Sequence, residues 1–79
     1  MTFSADSGAA LVVVDPNGRR ARVGLSAFPF RIGRAPDNNL VLRDGRISRN
    51  HAQVSSADGN CVLEDLGSRH GVWVNGERV

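Results

Sequence analysis

The sequence predicts an all-β protein, a twisted antiparallel β-sandwich of short strands. Three observations carry that expectation. Runs rich in β-branched residues recur about every ten residues, turn residues separate them, and no eleven-residue window keeps its apolar positions at helical spacing for long. The chain has 79 residues, of which 41% are hydrophobic. That length fits one small domain with a thin core of mostly Val, Leu and Ala. It makes a substrate domain alongside it, and a deep small-molecule cavity, poor expectations.

The elements follow in order. Leu11-Val12-Val13-Val14 is the first apolar run, and it meets Asp15-Pro16-Asn17-Gly18, where Pro presets one φ and Asn-Gly accepts positive φ. The chain returns through residues 19–23, with Arg20 and Arg22 expected to face solvent and Ala21 and Val23 to face inward. Phe28-Pro29-Phe30-Arg31-Ile32 puts Phe28, Phe30 and Ile32 on one face, and Pro29 marks an edge or a break near the strand's start. After the loop of residues 35–39 come the short strand Leu40-Val41-Leu42, the loop of residues 43–50 and a strand over residues 51–55.

The turn Ala57-Asp58-Gly59-Asn60 leads into Cys61-Val62-Leu63-Glu64-Asp65, with Cys61 and Leu63 on the same side and Cys61 read as a small core residue. Val72-Trp73-Val74 then runs into Asn75-Gly76, the strongest two-residue hairpin signal in the chain. Residues 1–10 read as a small, polar, loosely held tail, so the domain is expected to span residues 11–79.

All ten basic residues are Arg, and eight acids leave a net charge of +2. This is too little for sequence-blind coating of nucleic acid, and neither stacking aromatics nor a stripe of positive charge marks a nucleic-acid surface. The single Cys61 cannot form an internal disulfide. Without a signal-peptide pattern or an apolar run of membrane-spanning length, the expected location is cytoplasmic, with no membrane partner.

The polar residues that remain gather in Gly33-Arg34, Ser48-Arg49-Asn50-His51 and Gly67-Ser68-Arg69-His70-Gly71. Loops at one end of a sandwich can converge. Arg offers a planar fork for phosphate, Ser a hydroxyl donor, and loop N–H groups beside Gly complete an anion nest. Ser48, His51 and Asp65 are the residue types of a hydrolase triad, but Ser-x-x-His at a strand start commonly braces a loop, and no catalytic residue is assigned. His51 and His70 lie far apart in sequence and lack a matching third ligand, so neither a metal nor a cofactor is expected. Arg43, Arg46, Arg49 and Arg69 could form a basic rim, with scattered solvated charge the simpler reading of Arg43 and Arg46.

Taken in order, Gly33-Arg34, Asn39-Leu40-Val41-Leu42, Ser48-Arg49-Asn50-His51-Ala52, Asp65-Leu66-Gly67-Ser68 and Gly71-Val72-Trp73-Val74-Asn75-Gly76 resemble the forkhead-associated (FHA) domain family. The resemblance implies a non-enzymatic β-sandwich that recognises phosphothreonine in partner proteins during signal transduction. It implies that Arg34 and Ser48, with Arg49, hold the phosphate, and that Ser68, Arg69 and His70 touch the peptide. Gly33, His51, Asn75 and Gly76 would brace the loops. The implied partner is a threonine-phosphorylated protein or peptide, the substrate of a Ser/Thr kinase.

The pattern departs from the family where its usual Asn is His70 and its usual Thr is Val72. An imidazole lacks the paired donor and acceptor of a carboxamide, so peptide anchoring must differ. The family also continues past the Asn-Gly turn with two more strands that this sequence lacks, which leads to an expectation of strand exchange or self-association. The rival readings are a scaffold or assembly fragment with a vestigial phosphate site and an Arg-rich nucleic-acid module.

Overall fold

The computed structural model describes residues 1–6, 10–58 and 60–79, without the side chains of residues 4–6 and 57. Its strands are β1 (Thr2–Asp6), β2 (Ala10–Val14), β3 (Arg20–Gly24), β4 (Phe30–Gly33), β5 (Leu40–Val41), β6 (Ala52–Ala57), β7 (Asn60–Asp65), β8 (Trp73–Val74) and β9 (Glu77–Arg78). They form a five-stranded sheet in the order β3-β2-β1-β8-β9 and a four-stranded sheet in the order β5-β4-β6-β7. No described helix is long and apolar enough to cross a membrane.

Alternation builds the four-stranded sheet as expected. Phe30 and Ile32 are buried on either side of exposed Arg31, and they pair with buried Val54 and Ala52 of β6. On the facing sheet Phe3 pairs with Val13, both buried, and these residues join Leu25 and Val72 in one core between the layers. The Asn75-Gly76 signal produces its hairpin: φ is +50° at Asn75 and +85° at Gly76, the pair of positive values that a two-residue type I′ turn requires. The predicted turn before β7 has positive φ at Asp58, while Gly59 lies outside the described residues.

Several expectations are corrected. The sheets are mixed, because β1 runs parallel to β8 and β4 parallel to β5. Turn signals foresee hairpin neighbours, which are antiparallel, and say nothing about strands brought together from distant parts of the chain. Residues 2–6 are the middle strand of the five-stranded sheet instead of a tail, and residues 7–9 lie outside the described residues. Phe3 is 1% exposed, and the Trp73 and Asn75 N–H groups donate to the carbonyls of Met1 and Phe3 at 2.9 and 3.0 Å.

Phe28 precedes the strand, which begins at Phe30, and it is 43% exposed. Ala21 is exposed because β3 is an edge strand. Cys61 is exposed for the same reason, since β7 edges the smaller sheet, so it is a surface thiol.

The burial of Phe3 makes a testable statement about the N-terminal strand. Phe3→Ala is expected to cost about 3–5 kcal/mol, a large share of a small domain's stability. Chemical denaturation measures it, and an unchanged midpoint would show that residues 2–6 do not belong to the core.

Candidate functional site: a cationic rim

The site is built on a close approach of two backbones. β4 ends at Gly33, where an added Cβ would overlap the Arg49 carbonyl oxygen and lie 2.9 Å from Asn38 Nδ2. The bare glycine lets the segment after Ile47 lie alongside residues 34 and 35. The Arg34 N–H donates to the Ser48 carbonyl at 3.0 Å, and the Ala35 N–H to the Arg49 carbonyl at 3.1 Å. Buried Asn38 donates from Nδ2 to the carbonyls of Ala35 (2.9 Å) and Arg49 (2.8 Å), pinning the loop from within. Arg34 and Ser48, fourteen positions apart in sequence, are thereby neighbours.

His51 joins this loop to the one before β8. Its Nδ1 accepts the Ser48 N–H at 3.1 Å, which places the ring proton on Nε2, and Nε2–H donates to the Gly71 carbonyl at 3.0 Å. The residue is 1% exposed. Burial pushes its pKa below the ordinary 6.5, and the bond to the Gly71 carbonyl opposes that shift without reversing it. Both ring nitrogens are engaged by backbone groups, so the ring presents no free base to the Ser48 hydroxyl, and the hydrolase reading has no geometric support.

The loop before β8 is braced by its own side chains. Asp65 Oδ1 accepts the Ser68 N–H at 2.7 Å, and Ser68 Oγ accepts the Gly71 N–H at 3.0 Å. Partial burial works against the Asp65 charge, yet the Ser68 bonds, His51 and the Gly67 N–H hold its carboxyl below the usual carboxylate range. Ser48 Oγ accepts the Arg69 N–H at 3.0 Å, tying the two loops together at the surface. Gly71 has φ +87°, and a Cβ there would stand 2.8 Å from the Trp73 ring.

The convergence leaves a shallow pocket of about 220 Å³ lined by Arg34, Gly45, Arg46, Ile47, Ser48, Arg49, Arg69 and His70. The expected phosphate-binding residues Arg34, Ser48 and Arg49 therefore share one pocket with Arg69 and His70. Arg34 donates from Nε to the Ile47 carbonyl at 3.2 Å, which aims its fork while leaving both terminal nitrogens without a partner among the described residues. The Arg49 and Arg69 side chains have no hydrogen bond or ion pair among the described residues. The result is a rim of unpaired guanidinium groups around a hydroxyl. Such a rim can take up a dianion with several oxygens.

Some expected residues stand elsewhere. Ser68 is outside the pocket wall, with its Oγ holding the Gly71 N–H, so its visible role is to shape the loop. Asn75 and Gly76 do not brace this rim: they close the β8–β9 hairpin, and Asn75 bonds to Phe3 of β1. Gly33 and His51 do brace it. Sequence reasoning missed Asn38, which looks like any polar loop residue; of the arginines offered as a basic rim, Arg46 lines the pocket with Arg49 and Arg69, and Arg43 does not. Among the described residues no group of three His, Cys, Asp or Glu could hold a metal ion.

A β-sandwich with cationic loops gathered at one rim defines a class of anion-receiving interaction domain, and comparison with known proteins places the chain within it. The family model of the FHA domain matches residues 30–79. The FHA domain-containing protein FhaB of Mycobacterium tuberculosis (strain ATCC 25618 / H37Rv) is 41% identical over 69 residues, covering 87% of this chain and 44% of that protein. The glycogen accumulation regulator GarA of Mycolicibacterium smegmatis is 39% identical over 75 residues, 92% of this chain and 47% of that protein. The chain thus spans less than half the length of these curated relatives. Among solved structures, Mycobacterium tuberculosis EmbR in complex with a low-affinity phosphopeptide superposes with a TM-score of 0.68 and 38% identity, covering 90% of this chain and 18% of that one. The chain belongs to the FHA domain family.

The position of His51 generates a pH dependence. Because its folded-state pKa is depressed, the unfolded chain takes up the proton first as pH falls. Its contribution to stability is full above about pH 6.5 and is lost as pH falls through the folded value. Denaturation midpoints measured from about pH 8 to about pH 5 are expected to drop for the native chain, and much less for His51→Gln, which keeps a donor and an acceptor without titrating. Parallel profiles for the two proteins would contradict the assignment.

Proposed function

We propose that the chain is a phosphothreonine-dependent interaction module that binds threonine-phosphorylated partner peptides, the products of a Ser/Thr kinase, and carries out no reaction on them. The observation that carries this reading is the meeting of unpaired Arg34, Arg49 and Arg69 guanidinium groups around the Ser48 hydroxyl in one pocket. EmbR, a relative of similar fold, has been solved with a phosphopeptide, which supports the same ligand class here.

Phosphate on threonine carries close to two negative charges and three acceptor oxygens. Arg34 supplies a fork steadied by the Ile47 carbonyl, and Ser48 supplies a hydroxyl hydrogen, because its oxygen already accepts the Arg69 N–H. Arg49 and Arg69 add charge from either side, and His70 on the pocket wall offers the peptide one ring nitrogen. Three or four charge-assisted bonds, less the cost of association, correspond to micromolar affinity, about −8 kcal/mol. A Glu in place of the phosphothreonine lacks both the second charge and the third oxygen, so it should bind poorly.

An oriented phosphothreonine peptide library, run beside phosphoserine and unphosphorylated controls, tests the proposal. A selected phosphothreonine peptide is expected to bind the native chain, and phosphatase treatment to abolish binding. Arg34→Ala is expected to weaken binding by about 2–5 kcal/mol, roughly thirtyfold or more. Equal binding of bare and phosphorylated peptides, or full affinity in Arg34→Ala, would refute the assignment.

A further inference from the structure

Among the described residues, Arg46 alone of the pocket's guanidinium groups is ion-paired. It meets Asp44 fork to fork, Nε to Oδ1 at 3.0 Å and Nη2 to Oδ2 at 2.9 Å, while its own backbone N–H donates to Oδ1 at 2.8 Å. Nη2 also donates to Asn17 Oδ1 at 2.6 Å, and Nη1 reaches the Pro16 carbonyl at 3.4 Å. Asn17 returns a bond from Nδ2 to Asp44 Oδ2 at 3.3 Å. Asp15 fixes the turn, its Oδ1 accepting the Asn17 and Arg19 N–H groups at 2.9 Å each. The β2–β3 turn of one sheet therefore reaches across to hold an arginine beside the anion pocket of the other. The Arg46 pairing holds the Asp44 carboxyl down to about 2, so the carboxylate is charged at any working pH.

An anion entering the pocket meets an arginine whose Nε and Nη2 hydrogens all have partners and whose charge is balanced. A fourth free guanidinium would attract every acidic peptide, phosphorylated or not, through the same long-range field. A fixed carboxylate cancels that common attraction and leaves discrimination to hydrogen-bond geometry around Arg34, Ser48, Arg49 and Arg69, which a phosphate satisfies and a carboxylate does not. Resting on the phosphothreonine reading above, we infer that Asp44 is an affinity-setting residue that withholds Arg46 from the anion site. It lowers affinity for acidic ligands, most of all for the doubly charged phosphate, and so holds phosphopeptide binding in a weaker range.

The test uses Asp44→Asn, which keeps an oxygen for the Arg46 N–H and so preserves the turn. The probes are the phosphothreonine peptide selected from the library and the same peptide with Glu at that position. Asp44→Asn is expected to bind the phosphopeptide about tenfold tighter, equivalent to one added charge-assisted bond, with a smaller gain for the singly charged Glu peptide.

Asp44→Asn/Arg46→Gln, which removes both charges of the pair, should return to within about threefold of native affinity, while Arg46→Gln alone bares the Asp44 carboxylate beside the pocket and should weaken phosphopeptide binding. Unchanged affinity in folded Asp44→Asn overturns the inference. So does a double variant that binds more than about threefold weaker than the native chain, which would make Arg46 a direct ligand; should Asp44→Asn fail to fold, Asp44→Ser, which also accepts the Arg46 N–H, replaces it in both tests. A native chain that binds no phosphopeptide overturns the underlying reading instead.

Discussion

Of the glycines among the described residues, Gly33 stands in the tightest place, where an added Cβ would overlap the Arg49 carbonyl oxygen. Any side chain at residue 33 would occupy the space of that oxygen, and with it would go the bonds from Arg34 to Ser48, from Ala35 to Arg49 and from Asn38 to Arg49. The pocket consists of what those bonds bring together. An arginine at the end of one strand and a serine in a loop become neighbours because the backbones beneath them lie edge to edge. His51 extends the arrangement to the third loop through two further backbone groups, so all three loops are positioned by backbone contacts inside the rim.

The distribution of charge follows from the same bracing. Asp65 caps the Ser68 turn, and Asp44 holds Arg46, so these two carboxylates are occupied by structural partners. The guanidinium groups of Arg34, Arg49 and Arg69 are left without counterions among the described residues. A net charge of +2 is small for the whole chain, yet Arg34, Arg49 and Arg69 share one pocket. The pocket's chemistry is set by which arginines the fold leaves unpaired, a property that composition does not reveal.

The sequence is most informative where structure is local. Phe30 and Ile32 alternate into the core, and Asn75-Gly76 turns where expected, because a two-residue periodicity and a positive φ are properties of neighbouring residues. The site loops were legible through motif order. β1 was not: among Thr, Phe, Ser, Ala and Asp only Phe3 signals burial, and the strand exists through its pairing with β2 and β8. The Asp44–Arg46–Asn17 clamp was equally hidden, since Asn17 lies in a different turn and is joined to it only by the tertiary fold. Cys61 and Ala21 were misplaced because alternation assigns a face but does not say that a strand will be an edge.

If one rim captures phosphate through preorganised groups from distant loops, titration of the isotopically labelled chain shows it by amide and arginine side-chain NMR. With the selected phosphothreonine peptide, shifts are expected at Arg34, Ser48, Arg49, Arg69 and His70, and with its unphosphorylated twin none. Shifts that appear with both peptides, or that centre on the β8–β9 hairpin in place of the rim, would contradict it.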